Sequence, residues 1–175
     1  MSMIAGVISV VIGLMLAEQR VSRTHESALR AAGAVEPAGD VFRWLALVYP
    51  GAFIALGIEG AWRWSHAAGS PGGPAWAVSG ALLFLASKVL KYWAIGSLGP
   101  RWTFRVLVPP GAPRVTNGPY RYIDHPNYVA VVGEIVGTAM MVGAPVSGIA
   151  GTVAMSWLMW RRSRVEVQAL RQFGA

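Results

Sequence analysis

Three polar groups interrupt an otherwise apolar chain, and each sits where it could do chemistry. The densest is Gly118-Pro119-Tyr120-Arg121-Tyr122-Ile123-Asp124-His125-Pro126-Asn127-Tyr128, at the head of an apolar stretch. Pro126 suits the first position of a helix, where its missing N–H costs nothing. The free backbone N–H groups that follow face whatever lies in front of the helix, and such a start favours an anionic group. His125 and Tyr128, three apart, share a helix face. A capped helix start with interfacial aromatics accounts for the same residues without a ligand.

The second group is Arg161-Arg162-Ser163-Arg164-Val165-Glu166-Val167-Gln168. Arg162 and Glu166 are four apart and share a face; an anchor on the basic side of a membrane, with a solvated ion pair, is the plain alternative. The third is Glu134, inside an apolar stretch. A carboxylate at membrane depth is expensive and normally faces a cavity or a partner. Glu59 is similar but nearer a segment end. Lys88 and Lys91 are expected to snorkel toward headgroups.

The elements that position these groups follow from composition. In 175 residues, 54% are hydrophobic and 13% charged, about half the usual charged share. Too little polar surface remains to cover a globule in water. Five apolar stretches, 4–17, 44–62, 76–95, 128–142 and 146–160, predict an all-α polytopic membrane bundle of about five transmembrane helices, one domain over 1–175. The last two are separated only by Gly143-Ala144-Pro145 and predict a tight C-terminal hairpin, with Gly133 and Gly137 as its small-xxx-small face. Pro50 should kink the second helix. The first stretch lacks a basic flank and a small-residue cleavage site, so it is expected to be a retained helix rather than a signal peptide.

The net charge of +7 suits anionic headgroups better than nucleic acid, because the basic residues lie between apolar segments. Segments 18–43, 96–126 and the tail carry most of the arginines, whereas 63–75 carries only Arg63. That alternation predicts an outside N-terminus and a cytoplasmic C-terminus. Segment 18–43 shows helical spacing at Val21, Ala28 and Leu29 and is expected to be an interfacial helix. Segment 96–126 is rich in Gly and Pro, a long irregular loop of the functional kind. Without cysteine, disulfides, thiolate metal sites and cysteine nucleophiles are excluded; the three histidines, His25, His66 and His125, are too scattered to suggest a metal site.

The stretch GPYRYIDHPNYVAVVGE, followed by RRSRVEVQAL, resembles the paired motif of the isoprenylcysteine carboxyl methyltransferase family. RWTFRVLVPPGAPRVTNGPYRY extends the likeness upstream. LAEQRVSRTHESALRAAGAVEP resembles a bacterial branch whose members are often associated with type III polyketide synthases and methylate alkylpyrones or alkylresorcinols. Three positions depart from the pattern: Asp124 stands for an Arg, Val167 for a second Glu, and Ser156 for an Asn. The resemblance implies an S-adenosylmethionine site without a Rossmann fold, releasing S-adenosylhomocysteine. Tyr120, His125, Pro126, Tyr128, Arg162 and Glu166 would line it, with Tyr120 or Tyr122 stacked on the adenine. His125, Arg162 and Glu134 would be catalytic, and Arg101, Trp102, Arg105 and Glu134 would face the acceptor.

Methyl transfer from a sulfonium needs alignment and exclusion of water. A phenol or enol acceptor also gains from a base, for which Glu134 or His125 is the candidate. The expected activity is O-methylation of a lipophilic, membrane-partitioned phenol or pyrone at the cytoplasmic face of a bacterial inner membrane. Carboxyl methylation of a prenylated cysteine, N-methylation of a phospholipid headgroup, and a transporter or scaffold without enzymatic activity are the alternatives.

Overall fold

The computed structural model describes residues 2–66 and 73–173. They form five helices: α1 (Ser2–Ala31), α2 (Phe42–Ser65), α3 (Gly73–Leu98), α4 (Pro126–Val142) and α5 (Pro145–Phe173). The first three are long and apolar enough to cross a membrane, α4 is a shorter apolar helix, and α5 is apolar in its first half and basic in its second. No strand occurs among the described residues. The chain is an all-α membrane bundle. Its outer surface carries Leu47, Ile58, Leu82, Leu85, Val89, Val146, Ile149 and Val153 in the open, an apolar exterior suited to lipid rather than water. Residues 67–72, within the expected 63–75 connection, lie outside the described residues.

Two boundaries differ from expectation for one physical reason: a helix need not stop where hydrophobicity does. The apolar run ends at Ala17, yet α1 continues unbroken to Ala31, so the first part of segment 18–43 is an extension of α1 and not a separate interfacial helix. On that extension Val21 is 45% exposed, whereas Glu18 and Ser22 are buried. Its inward face is mixed: Leu29, read from the spacing, is buried, whereas Val21 and Ala28 face outward and Glu18 and Ser22 take the inner positions. Helix α5 likewise runs past Trp160 to Phe173.

Lipid is as apolar as a leucine side chain, so close packing and polar contacts must hold such a bundle together. Phe53, Leu56, Ile135 and Met155 are fully buried between α2, α4 and α5. The closest approach is between α3 and α4. A Cβ added to Gly80 would lie 2.6 Å from the carbonyl oxygen of Gly137. Gly133 and Gly137 therefore serve the α3–α4 contact, not the α4–α5 hairpin assigned to them from sequence. The hairpin turns instead on Gly143, whose left-handed φ of 70° ends α4, and packs through Gly148 against Ala139. Glu59 on α2 accepts the N–H groups of Val146 and Ser147 at 3.1 and 2.6 Å, satisfying free donors at the start of α5. Pro50 lies inside α2.

Lys88 and Lys91 do not snorkel. Both are buried and point into the bundle, where they meet Glu18 of α1 and Glu134 of α4. Lys88 Nζ lies 2.8 Å from Glu18 and 3.2 Å from Glu134. Lys91 Nζ lies 2.6 and 3.3 Å from the same two carboxylates and 3.2 Å from the Tyr49 hydroxyl, which itself donates to Glu134. Two acids balance two bases, so no net charge is buried, and four helices are tied at one point. That balance makes these side chains tolerable at membrane depth.

Candidate active site

The irregular segment between α3 and α4 folds over the bundle end formed by the first turn of α4 and the last turns of α5. Between them lies a cavity of about 410 Å³, within the range of roughly 300–1,000 Å³ usual for small-molecule sites. The two polar clusters, far apart in sequence, meet on its wall. Tyr128 Oη donates to Glu166 Oε2 at 2.6 Å. His125 Nδ1 lies 3.6 Å from the same oxygen, and the His125 and Tyr128 rings stack at 4.8 Å and 4°. Pro126 sits at the first position of α4, and no side chain caps that helix start. Arg162 is buried; its Nη1 donates to the carbonyl of Phe104 at 2.5 Å, while its Nε has no partner. Tyr120 also lines the cavity. Burial, and then the nearby Glu166 charge, hold its phenol above the ordinary range, so it stays neutral.

The candidate acceptor residues divide. Arg101, Trp102 and Arg105 line the cavity, but two of them have structural duties. Arg101 donates to the carbonyl of Pro113 at 2.7 Å and pins the loop. Arg105 is held by Glu36 at 2.7 Å and Glu26 at 3.6 Å, with Phe42 beneath it at 4.2 Å, which leaves little of its fork for an acidic ligand. Trp102 is buried, edge-on to Phe104 at 5.3 Å. Glu134 is not brought to the cavity. It is fully buried in the charge cluster described above, with both lysines and Tyr49 around it, and is not among the residues that line the cavity. Tyr122 is 73% exposed and does not line the cavity, so of these two tyrosines Tyr120 alone reaches it.

Two of the three departures from the family pattern, Asp124 and Val167, have simple surroundings. Asp124 pairs with Arg114 at 2.7 Å, both exposed at the cavity rim. Val167 adds to an apolar wall with Val106, Leu107, Val108 and Leu170. Asn127 was not singled out from sequence. It lines the cavity, and its buried Oδ1 has no partner; its place between Pro126 and Tyr128 was the available clue.

One wall of the cavity is an irregular ribbon, residues 102–108, bent at Phe104–Arg105 and backed by the segment that precedes α2. His25 Nδ1 donates to the Trp102 carbonyl at 2.8 Å, and Asp40 Oδ2 accepts the Val106 N–H at 3.0 Å. Val35 and Val108 exchange backbone hydrogen bonds at 2.9 and 3.0 Å. Glu36, held by Arg30 and Arg105, has its carboxyl pKa lowered by those partners although partial burial opposes the shift. Segment 18–43 is therefore a brace behind the cavity.

Residues 80–172 match the isoprenylcysteine carboxyl methyltransferase family. The chain is also 28% identical, over 95% of both chains, to the uncharacterized protein YpbQ of Bacillus subtilis (strain 168). No solved structure matches it significantly.

Proposed function

Because the chain belongs to the isoprenylcysteine carboxyl methyltransferase family, a family of membrane methyltransferases, we propose that it methylates a lipophilic acceptor using S-adenosylmethionine. The acceptor we favour is the hydroxyl of a phenolic or pyrone lipid. The observation that carries this reading is the meeting of His125, Tyr128, Arg162 and Glu166 on one cavity wall at the end of an apolar bundle.

The donor set fits an amino-acid-bearing cofactor. Arg162 with its unpartnered Nε, and the uncapped start of α4 at Pro126, offer cationic and N–H donors to a carboxylate. Glu166, held from one side by Tyr128, keeps its other oxygen for an ammonium. Asn127 Oδ1 is a further acceptor without a partner, and Tyr120 offers a neutral ring for stacking. When bound, the cofactor supplies an electrophilic methyl group on a sulfonium, to which aromatic faces are also suited.

The chain's own residues do the rest. Trp102, Val106, Leu107, Val108 and Leu170 exclude water from the reacting oxygen. His125 faces Glu166 through Nδ1, which leaves Nε2 to accept the proton of a phenol or enol. The basic residues of segments 18–43 and 96–126 favour a cytoplasmic side for this end of the bundle, where a soluble cofactor would arrive from water and an oily acceptor from the bilayer. The test is incubation of the purified protein with methyl-labelled cofactor and an alkylresorcinol or alkylpyrone, beside a prenylated cysteine and a phospholipid. A labelled methyl ether is the expected product. Label in the prenylcysteine ester or the headgroup would replace the proposed acceptor, and label in none would refute the reading.

A further inference from the structure

We propose that Ser22, on the extension of α1 outside the family-matched region, is a positioning residue for Arg162. Ser22 is fully buried, and its hydroxyl does not do what helix hydroxyls usually do. Thr24 and Ser27 on the same helix bond back to carbonyls of their own turn, Arg20 and Thr24. Ser22 instead donates to Glu26 Oε1 at 2.7 Å and accepts the N–H of Phe104, in the cavity ribbon, at 2.7 Å. Donation to Glu26 turns the hydroxyl proton away from the ribbon and leaves a lone pair aimed at it. Glu26 is fixed in turn by Arg105 at 3.6 Å.

The carbonyl of that same Phe104 takes Arg162 Nη1 at 2.5 Å. The backbone of one ribbon residue is thus gripped from both sides, by Ser22 through its N–H and by Arg162 through its C=O. Arg162 commits one arm of its planar fork to this anchor, and the rest of the guanidinium is thereby set in register with the cavity. Removing the Ser22 hydroxyl takes from the part-buried Phe104 N–H its side-chain partner, and a ribbon that shifts to recover one moves the carbonyl on which Arg162 rests.

The inference rests on the reading of this cavity as a donor site, and its test separates the two. S-Adenosylhomocysteine is titrated calorimetrically into wild type, Ser22→Ala, Arg162→Lys and the double variant, with Thr24→Ala as a control on the same helix. If wild type shows no binding, the donor reading fails and this inference falls with it. If wild type binds, Ser22→Ala is expected to weaken affinity about tenfold, and Thr24→Ala to leave it unchanged. In the Arg162→Lys background, where the fork is gone, adding Ser22→Ala should change affinity by less than about twofold, because the two act through one contact. A tenfold loss in both backgrounds, or none in either, overturns the proposal even though the donor site stands. Should Ser22→Ala fail to fold, Ser22→Cys, which keeps the size and weakens the acceptor, carries the same cycle.

Discussion

Replacing Glu134 by Gln separates a structural carboxylate from a catalytic one. The side chain is fully buried and faces Lys88 at 3.2 Å, Lys91 at 3.3 Å and the Tyr49 hydroxyl. The substitution keeps the volume and removes one of two negative charges, so two buried ammonium groups are left with Glu18 alone. Taking one partner from a buried ion pair costs roughly 3–5 kcal/mol. At about 2–4 °C per kcal/mol for a chain of this size, the melting temperature in detergent should fall by on the order of 10 °C. Because Glu134 does not line the cavity, turnover per folded molecule, assayed well below the variant's melting point, should stay within about threefold of wild type, far from the 10²–10⁴-fold typical of losing a general base. Thermal unfolding by intrinsic tryptophan fluorescence and a methyl-transfer assay on the same sample give both numbers. An unchanged melting temperature with a hundredfold loss of turnover would refute the argument and return Glu134 to the chemistry.

Other outcomes follow from single contacts. Tyr128→Phe removes the 2.6 Å donation to Glu166, a charge-assisted bond of about 1.5–3 kcal/mol; thermal unfolding should show a melting temperature lower by on the order of 5 °C, and calorimetry a weakened affinity for S-adenosylhomocysteine. Gly137→Ala would place a Cβ 2.7 Å from the carbonyl oxygen of Gly80 and force α3 and α4 apart, so its yield of folded protein on size-exclusion chromatography should collapse, whereas Gly96→Ala, with open space around it, should not. Glu36 titrates below its ordinary carboxylate pKa of 4.5 because Arg30 and Arg105 hold its charged form. A lowered folded-state pKa contributes stability that is present above 4.5 and lost as pH falls through the folded value; amide exchange at Val35 and Val108, corrected for intrinsic rates, should therefore speed up below pH 4.5 in wild type but not in Glu36→Gln.

The bundle was legible in the sequence because apolar stretches of spanning length leave few folds open. Their partners were not. Glu134 stood out as a costly charge, yet nothing in its neighbourhood names Lys88, Lys91 or Glu18, since the match depends on how α1, α3 and α4 rotate against one another. Lys88 and Lys91 are three apart and so share a face, but spacing alone does not say whether that face is inside or out. Val21 misled for a related reason: on the extension of α1 the buried side mixes Leu29 with Glu18 and Ser22, because it serves the buried lysines and the 102–108 ribbon as well as apolar packing. At the cavity, the i, i+3 pair His125–Tyr128 and the i, i+4 pair Arg162–Glu166 could be read locally. Ser22 and Asp40 could not, because their significance lies in backbone groups contributed by a loop of no regular pattern.

The central claim is that the α4 start and the α5 tail form one grip on a charged methyl donor. Titration of S-adenosylhomocysteine into wild type and into the variant carrying both His125→Ala and Glu166→Ala tests it most directly. Saturable binding by wild type, lost or weakened at least a hundredfold in a double variant that still melts cooperatively, is the expected result. Equal affinity in the two proteins would contradict it.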